Sequence, residues 1–168
     1  MSRLDSFIRR LEAQRACLNL AACLVREIAG EVLEMGLGNG RTYDHLRELL
    51  PDRAIYVCER HVAAHPTCVP PAEYLVLGDM RETLPALATR LAGRVALAHF
   101  DAASGDAAAD AAQAALLGPL FAPLLRPGGV LVSEPAFTLD GFVPVALPAG
   151  IAPGRYHIYR RLTEPASP

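Results

Sequence analysis

The chain has 168 residues, 52% of them hydrophobic, which supplies a sizeable core for one domain and excludes a disordered chain or one that depends on a disulfide framework. A formal net charge of −2 without any dense run of lysine or arginine argues against nucleic acid as the main partner. Four cysteines without C-x-x-C spacing point to reduced thiols and the cytoplasm, the charged N-terminus (Arg3, Asp5, Arg9, Arg10, Glu12) lacks the apolar run of a secretory signal, and no stretch reads as a membrane span.

In chain order, Leu4, Phe7, Ile8, Leu11, Leu18, Val25 and Ile28 recur at helical spacing and predict one or two amphipathic helices over residues 3–29. A short strand, 31–35, then runs into Gly36, Gly38 and Gly40 and a helix-like segment. Gly36 lets the chain leave the strand in a tight turn, and Gly38 and Gly40 remove the β-carbons that would keep a ligand away from the backbone. A plain strand-to-helix turn also favours glycine. The spacing is G-x-G-x-G. In the dinucleotide fingerprint the third glycine falls at position 41, which holds Arg41, and that bulk argues against the close helix packing a pyrophosphate site needs.

Strand two, 54–59, ends in Glu59, nineteen residues beyond Gly40. A carboxylate there can accept from both hydroxyls of a ribose, or it is a solvated acid at a strand end. The prolines at 66, 70 and 71 mark a loop, and strand three, 74–77, leads into Gly78-Asp79-Met80. Asp79 followed three residues later by Glu82 is close to a capping box. Strand four, 95–100, ends before Asp101 and contains His99, which reads as a buried structural histidine. An alanine-rich helix extends to Leu125, Pro127 ends it, Gly128 and Gly129 turn the chain, and strand five covers 130–134. The tail reads as two strands, 142–147 and 155–162. Only residues 135–141 separate strand five from the next strand, too few for a helical crossover. The helix after strand five is therefore expected to be missing, and the last two strands to form an antiparallel hairpin near one edge.

The segment Glu34-Met35-Gly36-Leu37-Gly38-Asn39-Gly40 resembles the first motif of the class I S-adenosylmethionine (SAM) dependent methyltransferases, and Gly78-Asp79 and Leu-Arg-Pro-Gly-Gly-Val-Leu-Val are similar to later landmarks of that family. The resemblance implies an α/β fold with a doubly wound, mostly parallel sheet covered by helices on both faces, whose usual strand order 3-2-1-4-5-7-6 is in doubt at its end. It implies a single SAM-binding domain over 1–168, with a helical segment 1–29, a cofactor core 30–134 and a hairpin and tail 135–168. It also implies a cofactor set of Glu34, Gly36, Leu37, Gly38, Gly40, Glu59, Arg60, Asp79, Met80 and Asp101, with Glu59 on the ribose, Asp79 on the adenine amine and the Met80 backbone on the ring. The first helix is expected across the cofactor mouth, where Arg15 and Asn19 either meet the SAM carboxylate or are solvated.

On the acceptor side, methyl transfer requires alignment of a nucleophile, and a base only where an unwanted proton must leave. Candidates near strands four and five are His99, Asp101, Ser104 and Glu134, with Asp101 and Glu134 the two that would carry any catalytic role. The same two acids resemble part of the magnesium site of macrocin-type sugar O-methyltransferases, but Pro135 stands where a further acid is wanted, so no metal is expected. No Asn-Pro-Pro-aromatic motif follows strand four, which disfavours amide or adenine N-methylation. The leading reading is methyl transfer to a small-molecule acceptor, without nucleic acid or membrane partners; a SAM- or nucleoside-binding module without catalysis is the alternative, and a nicotinamide reductase comes third. A missing helix would uncover apolar surface near strands four and five and leave Tyr156, Ile158 and Tyr159 on an open edge. These predict a homodimer or higher symmetric oligomer through residues 135–162.

Overall fold

A computed structural model describes residues 2–163. They form a seven-stranded sheet in the order β3-β2-β1-β4-β5-β7-β6. The strands are β1 (Glu31–Met35), β2 (Ile55–Glu59), β3 (Leu75–Leu77), β4 (Val95–Phe100), β5 (Leu125–Ser133), β6 (Phe142–Pro144) and β7 (His157–Arg161); the helices are α1 (Arg3–Leu24), α2 (Arg41–Leu49), α3 (Met80–Leu91) and α4 (Ala107–Phe121). Strands β1 to β5 pair in parallel, and β7 runs antiparallel to both β5 and β6. The usual order of the methyltransferase sheet is thus kept to its end.

A parallel sheet must bury both faces, and β1 shows how the residues divide. Val32 joins a layer with Leu18 and Val25 near α1 and Tyr43 and Leu46 of α2, while Leu33 and Met35 join Leu84, Leu87 and Leu91 of α3 and Leu117 and Phe121 of α4. The helix α1 is one continuous element, opened by a capping box between Ser2 and Asp5. Its buried residues are Ala13, Gln14, Cys17, Leu18, Ala21 and Ala22, whereas Leu4, Phe7 and Ile8 are exposed. The first turns therefore overhang the sheet rather than bury the stripe read from their spacing.

Several expectations change in detail. Asp79 caps α3 through the Arg81 N–H, and the reciprocal Glu82 contact of a capping box is not formed. The alanine-rich helix stops at Phe121, a single 3₁₀ turn follows, and β5 already begins at Leu125. Pro127 and the two glycines lie within β5, where the pairing with β4 slips between Val95 and Leu97. They form a bulge and do not end the helix. By length and composition Ala107–Leu124 is apolar enough to cross a membrane, which the sequence reading did not expect; here Ala114, Leu117 and Phe121 of α4 are buried in the layer against the sheet.

No helix lies between β5 and β6 among the described residues, as expected, but the face is not left open. Phe137, in the link between the two strands, is buried and packs edge-on against Phe100 and Phe121 at centroid distances of 5.3 and 5.0 Å. The Phe137 N–H donates to the Tyr159 hydroxyl at 3.0 Å. One aromatic side chain on a short link does the covering that a helix does in the usual fold, so the bare apolar face expected near strands four and five is not formed. Nor is β7 an edge: it sits between β5 and β6, and Tyr156 and Ile158 are buried.

Candidate active site

The carboxyl ends of β1, β2 and β4 and the α3 N-terminus form one edge. At its centre is the glycine turn. Gly36 and Gly38 have φ of 101° and 49°, in the region that favours glycine. Their surroundings differ. A Cβ at Gly36 would lie 2.7 Å from the Asp101 carbonyl oxygen and one at Gly40 would lie 2.5 Å from Cys68 Cβ, whereas one at Gly38 would meet nothing within 4 Å. Gly36 and Gly40 are small because protein crowds them. Gly38 is small beside open space.

That space is a cavity of about 300 Å3 bounded by Gly38, Leu37 and Asn39 of the turn, Arg41 of α2, Arg10 of α1 and Asp101. A second cavity of about 300 Å3 lies further along the edge against Arg60, Asp79, Met80 and Leu117. The Glu59 carboxylate is on the turn itself: Oε2 accepts from the Leu37 and Gly38 N–H groups at 2.8 and 3.0 Å, and Oε1 from those of Arg60 and His61 at 2.6 and 3.3 Å. Partial burial pushes this carboxyl up, and the four backbone donors outweigh it, so it stays ionised below the ordinary glutamate range. Asp79 accepts from Arg81 and, at 2.8 Å, from Arg60. The Arg81 hydrogen bonds hold its carboxyl far below the usual range. A larger groove of about 490 Å3 runs along the other flank of α1, between Arg9 and the Gly150–Arg155 turn, away from the glycines.

Asp101 and Glu134 are brought together, and what stands between them is Arg10. Its Nη2 donates to Asp101 Oδ1 at 2.8 Å and its Nε to Glu134 Oε2 at 2.9 Å. Burial lowers the guanidinium, and the two carboxylates more than restore it. Among the described residues no three histidine, cysteine, aspartate or glutamate side chains converge as a metal site would require. Ser104 belongs to a different contact, donating its backbone N–H and its hydroxyl to Asp110.

Glu34 is not at the surface of the edge. It is fully buried, accepting from the Thr42 hydroxyl, and its Oε2 lies 2.8 Å from His99 Nδ1. The other ring nitrogen of His99 is 2.7 Å from the Tyr156 hydroxyl, which accepts from Gln14 Nε2 at 3.2 Å. Burial pushes His99 down, but the Glu34 charge and hydrogen bond outweigh it and raise its pKa. Four elements, α1, β1, α2 and β4, and the turn before β7 therefore meet in one buried polar chain beneath the glycine turn. Glu34 and His99 face each other in the β1–β4 register; the sequence marked one as a motif acid and the other as a buried histidine, and nothing in it joined them to each other or to Gln14 and Tyr156.

The parallel sheet with its reversed last pair, and a glycine turn beneath an open cavity at the carboxyl edge, define a class I methyltransferase architecture. The sequence profile of the S-adenosyl-L-methionine methyltransferase family matches residues 1–161, and this chain belongs to that family. A S-adenosyl-L-methionine methyltransferase from Silicibacter pomeroyi DSS-3 is 45% identical, with a TM-score of 0.91 over 96% of this chain and 99% of that one. Two more distant structures share the fold. Aeropyrum pernix fibrillarin with natively bound SAM has a TM-score of 0.52 at 20% identity, over 87% of this chain and 75% of that one. Human methyltransferase-like protein 13 in complex with S-adenosylhomocysteine has a TM-score of 0.53 at 15% identity, over 94% of this chain and 83% of that one. No curated protein matches. Family membership makes the chain a SAM-dependent methyltransferase and sets aside the non-catalytic binding module and the nicotinamide reductase.

Proposed function

We propose that this enzyme methylates a small-molecule acceptor and holds SAM along the carboxyl edge of the sheet. The observation that carries the placement is the open space at Gly38, which a β-carbon would enter, between walls that crowd Gly36 and Gly40. Glu59 takes the ribose hydroxyls. Its four acceptor positions are already engaged, so each ribose hydroxyl it accepts displaces one of these backbone contacts, the long His61 contact first. Asp79 takes the adenine amine and the Met80 backbone the ring, in the second cavity. Leu37 and Arg60 flank Glu59, and Glu34 acts from below by fixing the turn through Thr42. When bound, SAM supplies a methyl group already activated for displacement, and the chain's task is alignment and exclusion of water. Asp101 and Glu134 each give one carboxylate oxygen to Arg10 and so hold α1 over this edge.

Glu59→Ala and Asp79→Ala should each weaken SAM binding by about 1 to 3 kcal/mol, the scale of a lost charge-assisted hydrogen bond. Calorimetry returning wild-type affinity for both variants overturns the placement. The small-molecule acceptor is supported by the net charge of −2 and by cavities of modest size, and transfer of labelled methyl to RNA or protein but not to small-molecule pools would refute it. Four free thiols support a cytoplasmic enzyme, which cell fractionation tests. Self-association through residues 135–162 has less apolar surface to bury than first expected, because Phe137 covers the sheet; Val143 and Leu162 are still exposed there, and Leu4, Phe7 and Ile8 add an exposed apolar group on α1. Light scattering that reads a monomer at micromolar concentration removes it.

A further inference from the structure

We infer that Arg41 is the residue that holds the carboxylate of the SAM amino-acid tail, opposite Asp101 as the acceptor for its ammonium group; this rests on the placement of SAM proposed above. The tail is a zwitterion, and a site that fixes it needs an unspent cation and an unspent acceptor on facing walls. Two arginines border the cavity at Gly38, Arg10 and Arg41. Arg10 is spent, because its guanidinium bridges Asp101 and Glu134. Arg41 is not: its one side-chain hydrogen bond is a 3.2 Å contact from Nη1 to the Asn39 amide oxygen, and no carboxylate pairs with it among the described residues. Asp101 gives Oδ1 to Arg10, while Oδ2 has no hydrogen-bond partner among the described residues.

The position of Arg41 is fixed independently of its side chain. It is the first residue of α2, directly after Gly40 in the left-handed conformation, so its backbone is set by the glycine turn. The two residues first considered for this carboxylate are placed elsewhere. Asn19 is taken by His45 at 2.7 Å, and Arg15 lines a groove on the far side of Arg41 that does not include the glycines. The arginine that breaks the dinucleotide fingerprint thereby acquires a use, since a carboxylate, unlike a bridging pyrophosphate, is recognised by a side chain and does not need the close helix packing that Arg41 prevents.

The test compares two probes by calorimetry, SAM and decarboxylated SAM, which keeps the adenosine, sulfonium and ammonium and lacks only the carboxylate. Arg41→Ala should bind SAM about tenfold more weakly, the lower end for a charged hydrogen bond at an exposed site, and bind decarboxylated SAM within twofold of wild type. Arg41→Lys should recover part of the loss. Equal losses for both probes would make Arg41 a support of the turn and overturn the assignment, as would a selective loss in Arg10→Ala with none in Arg41→Ala. A wild-type protein that binds neither probe overturns the placement of SAM and this assignment together, whereas binding of both with no effect of Arg41 overturns this assignment alone.

Discussion

Along the carboxyl edge from β1 to β3, the groups that matter are organised by backbone: Glu59 is fixed by four N–H groups, Asp79 caps its own helix, and the glycine turn shapes a cavity by what it lacks. From β4 to β6 the corresponding edge is organised by side chains that meet from distant parts of the chain. Arg10 reaches Asp101 across 91 residues and Glu134 across 124, and Gln14 reaches Tyr156 across 142. The first half is a local device that any copy of the motif would build. The second depends on the whole fold being assembled, and it is where this chain replaces a helix with a short link.

The sharpest way to break that comparison is to make the same change at two glycines two residues apart. Gly36→Val must push against the Asp101 carbonyl in a left-handed conformation and should cost about 4 kcal/mol in chemical unfolding, combining overpacking with backbone strain. Gly38→Val should cost about 1 to 2 kcal/mol of strain alone and yet abolish SAM binding. Equal destabilisation by the two, or retained binding at Gly38→Val, would erase the distinction between crowded and open positions. On the other half, Phe137→Ala should cost about 3 kcal/mol, as for a buried aromatic, with SAM affinity held within twofold. A large loss of affinity there would mean that the link and the cofactor edge are coupled.

A third, somewhat smaller effect concerns the buried chain under the turn and varies with pH. The His99 pKa is raised above its ordinary 6.5 by Glu34, so the stabilisation is fully present below that value and is lost as pH rises through the higher folded pKa. His99→Gln should therefore cost the most near pH 6, about 2 to 3 kcal/mol for the lost hydrogen bond to a charged group, and less as pH is raised. A cost that is flat from pH 6 to 9 would show that His99 serves only as a packed hydrogen-bonding ring.

The same contrast explains what could be read from the sequence. Strands β1 to β5 and the placement of Glu59 and Asp79 after strand ends follow from short apolar runs, which in β1, β2 and β4 are buried on both faces, and from a contiguous motif, because the backbone that shapes those positions is specified by neighbouring residues. Arg10 counted only as one of the charges at the N-terminus, since nothing local in α1 says that its guanidinium will close on two acids far along the chain. Tyr156 and Ile158 were read as an open edge because strand order at the end of the sheet is a long-range property; once β7 lies inside, the same apolar residues are core. The bulge at Pro127 was taken for a helix stop for a similar reason, since proline and glycine mark a break in pattern without saying which element is interrupted.

The two outer strands of the sheet, β3 and β6, have three residues each, and β6 ends on Pro144. A strand this short offers an incoming chain few ladder positions, and a proline has no N–H to lend. The sheet is therefore finished at both sides, and it gives little template for the runaway stacking by which open β-edges drive aggregation. Lengthening the sheet is thus a poor route by which a second copy could dock.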